Sequence, residues 1–122
     1  MGCRINYRTR EGMLCAVVSG KSTERNAAWI ARSIAGQAGA QTANRVLIDL
    51  RRLADRVGRL GTLSLANGDA GAVGGYRVAV VDVADNDPYY VFCELSAKAR
   101  GLALRCFSDT REALQWLRRA AD

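Results

Sequence analysis

Hydrophobic positions along the chain follow strand-like and helix-like patterns. Residues 4–8 alternate apolar and polar side chains and residues 13–20 form an apolar run, so a turn at residues 9–12 would join them as a β-hairpin. Residues 45–51, RVLIDLR, form a nearly continuous apolar run that ends in charge, which is typical of a central parallel strand covered on both faces. The runs that predict the remaining strands lie at residues 76–83 and 102–107.

Segments with helical periodicity separate these strands. The predicted helices cover residues 23–38, 53–66 and 89–101 and the segment that follows Asp109. The first helix is expected to end near Gly36 or Gly39, and the spacing of Asp109 and Glu112 is that of a capping box. The order of elements predicts one α/β domain over residues 1–122, with an N-terminal hairpin, βα units and a mostly parallel sheet flanked by helices.

The composition narrows the function classes. The 122 residues are 49% hydrophobic and 25% charged, and they include no histidine, which excludes histidine bases and imidazole metal ligands. The four glutamates are not paired with other acids, and Cys93 beside Glu94 has no base to activate it. We therefore expect no enzyme, no cofactor and no metal site. Without a long apolar stretch we expect no membrane span, and we place the protein in the cytoplasm.

The net charge of +6 is uneven along the chain. Residues 1–60 hold 11 Lys/Arg against 4 Asp/Glu, whereas residues 61–122 hold 7 against 8. Arginine supplies 16 of the 18 basic residues. A GC-rich genome encodes arginine rather than lysine at ordinary surface positions, and this origin explains the composition better than a nucleic-acid interface does. We therefore expect no nucleic-acid partner.

The cysteines and tryptophans fit packing roles. The four cysteines do not form CxxC pairs, so neither a zinc site nor a redox motif is indicated, and buried free thiols are expected, with Cys15 and Cys106 in buried strands. Trp29 and Trp116 lie on helical apolar stripes and are interpreted as packing residues. Of the two, Trp29 is the one expected to face a partner.

Four segments, in order along the chain, resemble the SpoIIAA-like branch of the STAS superfamily, the domains shared by sulfate transporters and anti-sigma-factor antagonists. They are VVSGKST at 17–23, VLIDLR at 46–51, YRVAVVDVAD at 76–85 and GLALRCFSDTREALQWL at 101–117. The resemblance implies a small bacterial domain that works by binding a protein rather than by catalysis, and that forms a homodimer.

The phosphoacceptor motif of that family is missing. The antagonists are switched by a kinase that acts on a serine in a DSSG-type motif after the third strand, and the matching positions here are Gly58 and Arg59. Neither residue offers a hydroxyl. Thr62 and Ser64 lie further along and are weak candidates to replace the serine.

Charged residues follow the predicted central strand at the edge where open α/β sheets bind ligands. They are Arg51, Arg52, Asp55, Arg56 and Arg59. One interpretation is a site for an anion or an acidic partner; the other is a solvated loop with weak ion pairs to Asp55. Asp82, Asp85 and Asp87 come at the same edge of the next strand, where they could pair with the arginines.

Two functional hypotheses follow. The first is a non-enzymatic regulatory or protein-interaction module of the STAS type that lacks the usual phosphoacceptor serine. The alternative is a binder of a small hydrophobic or anionic ligand at the C-terminal edge of the sheet, where Asp85 and Tyr89 are the candidate contacts.

Overall fold

The computed structural model describes residues 3–20, 24–41, 43–53, 77–82, 95 and 103–119. Five strands and two helices are described, in the order β1 (Cys3–Arg10), β2 (Met13–Gly20), α1 (Glu24–Ala40), β3 (Arg45–Leu53), β4 (Arg77–Val81), β5 (Ala103–Phe107) and α2 (Thr110–Arg118). None of the helices in these ranges is long and apolar enough to cross a membrane. Of the predicted helices at 53–66 and 89–101, the structure describes two residues: Leu53, which is the last residue of β3 and not the first of a helix, and Leu95, which is helical and exposed. The other residues of both predicted helices lie outside the described residues.

The N-terminal hairpin is confirmed, with a tighter turn than predicted. Strand β1 continues to Arg10 and pairs with β2 in antiparallel register. Only Glu11 and Gly12 connect the strands, with φ values of 53° and 78°. Two consecutive residues of positive φ match the right-handed twist of the flanking strands, and glycine takes that conformation without a side-chain penalty.

The strands described form one sheet in the order β1-β2-β3-β4-β5. Strand β3 pairs in parallel with both β2 and β4, and β4 pairs in parallel with β5. The apolar run at 45–51 is therefore the central strand, as predicted, and residues 46–50 are all buried. The fold class is confirmed: the sheet is mostly parallel and a helix packs on each face.

Each face of the sheet has its own core. On one face, Ile30 and Ile34 of α1 pack against alternate residues of the strands, such as Val46 and Ile48. On the other face, Ala113 and Leu117 of α2 pack with Leu47 and Val81, among others. Residues of a strand alternate between faces, so β3 contributes to both cores.

Helix α2 begins where the sequence predicts. The Asp109 carboxylate accepts the backbone N–H of Arg111 at 3.0 Å, which confirms Asp109 as the N-cap. Trp116 is half-buried and contacts Phe107, with ring centroids 5.8 Å apart, so its packing role is confirmed as well.

Two packing expectations are wrong. Trp29 is 46% exposed. The buried stripe of α1 runs through Ile30, Ile34 and Ala38. Around the helix, Trp29 lies about 100° from Ile30 and about 180° from Ala38, so it faces away from the stripe. Cys15 and Cys106 are half-buried rather than buried, although both lie in strands as predicted.

Candidate functional site

The C-terminal edge of the sheet collects acidic and basic side chains from neighbouring strands. Asp49 of β3 is opposite Val81 of β4, so Asp82 follows at the same edge. The Asp82 N–H donates to the Phe107 carbonyl of β5 at 2.9 Å. Asp49 and Asp82 are both buried, with 8% and 3% of their surfaces exposed. A buried carboxylate is stable only when it is hydrogen-bonded or paired with a cation. The contacts of Asp49 therefore determine the chemistry available at this edge.

Arg51 forms a bidentate pair with the Asp49 carboxylate through two nitrogens of its guanidinium. Its Nε donates to Oδ1 at 3.0 Å and a terminal nitrogen donates to Oδ2 at 2.9 Å. The backbone N–H of Arg51 also donates to Oδ1, at 3.0 Å. The register between β2 and β3 shifts at this point, and the carboxylate supplies an acceptor where the ladder is irregular. Arg51 is therefore a structural partner of Asp49 as well as a residue of the edge.

The electrostatics of the pair favour its charged form. Burial alone would raise the pKa of Asp49, but the hydrogen bonds from Arg51 and the charges of Arg51 and Arg52 together hold this pKa below its ordinary value. The hydrogen bond to Asp49 in turn raises the pKa of Arg51, with a further contribution from the charge of Asp109. Asp49 stays ionised at neutral pH and is not tuned to act as a general base.

Arg52 has a different role from its neighbour. It is exposed, and it influences Asp49 through its charge. In the sheet register Arg52 is opposite Ser19 of β2, and Ser19 is opposite Arg4 of β1. Because strands are spaced by about 4.8 Å, this row places the backbones of Arg4 and Arg52 about 10 Å apart.

We call Arg4, Arg51 and Arg52 the basic rim. All three are exposed and lie at one edge of the sheet. Arg51 and Arg52 are among the residues predicted for this site, whereas Arg4 is not, because only the antiparallel pairing of β1 brings the start of the chain to this edge. In the sequence, only the pattern that predicts the hairpin indicates the position of Arg4.

The other predicted site residues lie outside the described residues. They are Asp55, Arg56, Arg59, Thr62, Ser64, Asp85, Asp87 and Tyr89. Within the part of the chain that the structure describes, no group of three or more Cys, Asp or Glu side chains is arranged to hold a metal ion.

A second concave surface lies between β5 and α2. This groove has a volume of about 360 Å³ and is lined by Arg105, Phe107, Glu112, Gln115, Trp116 and Arg119. Its lining combines two aromatic rings with two arginines. This groove is not predicted from the sequence, although Phe107 and Trp116 are the bulky side chains of the last strand and helix.

Arg77 fixes the tryptophan of this groove from the side of β4. Its guanidinium lies 4.0 Å from the centre of the Trp116 ring, and it donates to the Trp116 carbonyl at 2.8 Å. That carbonyl is among the last four carbonyls of α2, which receive no hydrogen bond from N–H groups of the helix itself. Arg77 therefore combines a cation–π contact with capping of the helix.

Comparisons with known proteins show which solved structures have a similar fold. No protein-family model and no curated protein sequence matches the chain. Among solved structures, an anti-sigma factor antagonist from Mycobacterium paratuberculosis is similar over 95% of this chain and 94% of its own, with a TM-score of 0.64 and 18% identity. The protein TM1081 is similar over 93% of this chain and 87% of its own, with a TM-score of 0.57 and 14% identity. The chain therefore has the fold of an anti-sigma factor antagonist, the SpoIIAA-like or STAS fold that the sequence segments predict.

Proposed function

We propose that the chain is a non-enzymatic regulatory module of the STAS type that binds an acidic surface of a protein partner through the basic rim. The observation that carries the proposal is the convergence of Arg4 and Arg52, which come from distant parts of the sequence and are both exposed at one edge of the sheet. The fold that the chain shares with an anti-sigma factor antagonist supports a binding role. We place this module in the bacterial cytoplasm.

Site-specific photo-crosslinking in the native host tests the proposal. A photo-reactive amino acid replaces Arg52, and the matched control replaces Asn44, an exposed residue that immediately precedes the opposite end of β3. We expect a discrete protein adduct from position 52 and none from position 44. The same adducts from both positions, or no adduct from position 52, would contradict a binding role for the rim.

The partner identified in this way permits a quantitative test. In a titration, Arg52→Glu places a negative charge against an acidic surface and should weaken binding about tenfold or more, mainly when the salt concentration is low. Arg32→Glu on α1, which is also exposed, is the control for the change in net charge. Equal weakening by both substitutions would show that only the net charge matters.

The groove between β5 and α2 supports a second candidate, the binding of a small ligand with an aromatic or apolar body and an anionic group. Phe107 and Trp116 offer ring surfaces, and Arg105 and Arg119 offer charge. Native mass spectrometry of protein purified from its own host distinguishes the candidates. A small molecule that remains bound, and is lost in Trp116→Ala, favours the groove; a bound protein that is retained in Trp116→Ala favours the rim.

Regulation by a serine kinase is not part of the proposal. Gly58 and Arg59 occupy the positions at which the family carries its phosphoacceptor serine pair, and neither has a hydroxyl. Phosphopeptide mapping from cells should find no stoichiometric modification in this segment. Full modification of Thr62 or Ser64 would overturn that expectation.

A homodimer is expected, and light scattering coupled to gel filtration tests it.

A further inference from the structure

Strand β1 lies at the end of the strand order. Within the described residues it pairs with β2 alone, over all eight of its residues. About half of the backbone N–H and C=O groups of such a strand point away from the sheet, and they form a template on which another strand can add.

The side chains of β1 divide into a charged row and an apolar row. Arg4, Arg8 and Arg10 are exposed and, at even positions of the strand, lie on the same face of the sheet. On the other face, Ile5 and Tyr7 are half-buried and pack against the core. A strand added beside β1 would therefore contact arginine side chains on one face and the apolar side chains of Ile5 and Tyr7 on the other.

The positive charge of this row is only partly offset within the hairpin. Residues 3–20 contain one acidic residue, Glu11. Its carboxylate accepts a hydrogen bond from Arg118 at 2.7 Å and lies 3.8 Å from Arg10. One carboxylate is shared between Arg10 and Arg118, and among the described residues no acidic side chain pairs with Arg4 or Arg8, so this edge is complementary to acidic side chains.

The same charges disfavour a second copy of the chain at this edge. In a two-fold antiparallel pairing centred on Tyr7, Arg4 would be opposite Arg10 of the second copy. A pairing centred on Asn6 would place Arg4 opposite Arg8. Like charges directly opposite one another destabilise a strand pair, which leaves an acidic strand as the better occupant.

We propose that β1 binds an extended acidic segment of a partner protein, in which acidic and apolar residues alternate, as an additional strand of the sheet. Acidic side chains of the segment lie beside Arg4, Arg8 and Arg10, and its apolar side chains lie beside Ile5 and Tyr7. Main-chain hydrogen bonds supply affinity, and the alternation supplies specificity. This surface shares Arg4 with the basic rim but requires neither Arg51 nor Arg52, so its test can fail while the proposed function stands.

The test uses synthetic peptides and the full chain. The probe is an octapeptide in which glutamate and valine alternate. One control has the same composition in a non-alternating order; the other keeps the alternating side chains but carries N-methyl groups on every backbone nitrogen, which removes the donors from both sides of the peptide. We expect the alternating peptide to bind, to shift the NMR amide signals of residues 4–10, and to slow their hydrogen exchange.

The controls decide between strand addition and simple attraction of charge. The scrambled and N-methylated peptides should bind about tenfold or more weakly than the probe, since each lacks one of the two recognition elements. Arg8→Glu should weaken probe binding by a similar factor, whereas Arg32→Glu on α1 should change it by less than about threefold. Circular dichroism confirms that both variants remain folded.

Three results would overturn the proposal. They are no binding of the probe at millimolar concentration, equal binding of the scrambled or N-methylated peptide, and protection of the β1 amides in the protein alone that disappears on dilution. The last result would mean that a second copy of the chain occupies the edge. Each of these results leaves the crosslinking test at Arg52 unaffected.

Discussion

Replacing Arg51 with glutamine removes the cation that holds the Asp49 carboxylate. The Asp49 side chain is only 11% exposed, and the substitution takes away side-chain hydrogen bonds of 3.0 and 2.9 Å. Breaking a fully buried pair by removing one partner costs about 3–5 kcal/mol. The Arg51 side chain is 46% exposed, however, so water can replace part of what it supplies. The backbone N–H of residue 51 also remains as a donor. We therefore expect a loss of about 1–2 kcal/mol in the free energy of unfolding.

Urea unfolding at pH 7, followed by circular dichroism, measures this loss. The matched control is Arg52→Gln, which removes a charge of the same sign from the next residue of the chain. An exposed arginine away from special contacts changes stability by less than about 0.5 kcal/mol. If Arg51→Gln and Arg52→Gln lower stability equally, the bidentate pair does not stabilise the fold and our account of this edge is wrong.

The pH dependence gives the same prediction an independent check. The pKa of Asp49 in the folded protein lies below its ordinary value, so the ionised carboxylate stabilises the fold. That contribution is complete above the pKa of the unfolded chain, about 3.9, and is lost as the pH falls through the lower folded value. The difference in stability between the parent and Arg51→Gln should be constant from about pH 5 upward and should narrow below about pH 4. A difference that widens in acid would contradict the sign of the shift.

Three further predictions follow from the described contacts. Gly12→Ala should destabilise the protein by about 1 kcal/mol and Gly36→Ala should stabilise it by about 0.5–1 kcal/mol in urea unfolding, because a Cβ meets nothing within 4 Å at either site but Gly12 has a φ of 78° and Gly36 lies in a helix. Equal signs would show that backbone conformation does not dominate. Arg77→Lys should cost about 1–2 kcal/mol, since lysine cannot keep both the ring contact and the bond to the Trp116 carbonyl; an unchanged midpoint would refute this. Acrylamide should quench the fluorescence of Trp29, measured in Trp116→Phe, more strongly than that of Trp116, measured in Trp29→Phe, because Trp29 is 46% exposed and Trp116 is half-buried. The reverse order would mean that another surface covers Trp29.

The sheet could be predicted because its signals are local. A continuous apolar run such as residues 46–50 is compatible with burial on both faces, and this run is indeed the central strand. The turn at Glu11 and Gly12 and the cap at Asp109 also depend on neighbouring residues. These elements follow from short-range patterns, which a single sequence contains in full.

The pairing of Asp49 with Arg51 was within reach of the sequence but was not predicted. Residues two apart in a strand share a face, so an aspartate two positions before an arginine in β3 is a candidate pair. From the sequence, the apolar run is expected to end at Arg51, and Asp55 is the expected partner of the arginines. The position of Arg4 beside Arg52 was harder to foresee, because it depends on the registers of two strand pairs.

The two arginines at the end of β3 show why a site should be tested one residue at a time. If Arg51, Arg52, Arg56 and Arg59 form a binding site that follows the strand, which is one of the two interpretations of the sequence, replacing them together should abolish binding and leave the fold intact. In the structure Arg51 is bonded to a buried carboxylate, so the joint replacement would lower stability as well as charge, and a loss of binding could not be assigned to either cause. Arg52→Glu with Arg51 retained changes the exposed charge and keeps the pair intact. Loss of binding in that variant, with an unchanged urea midpoint, is the result that would assign recognition to the basic rim.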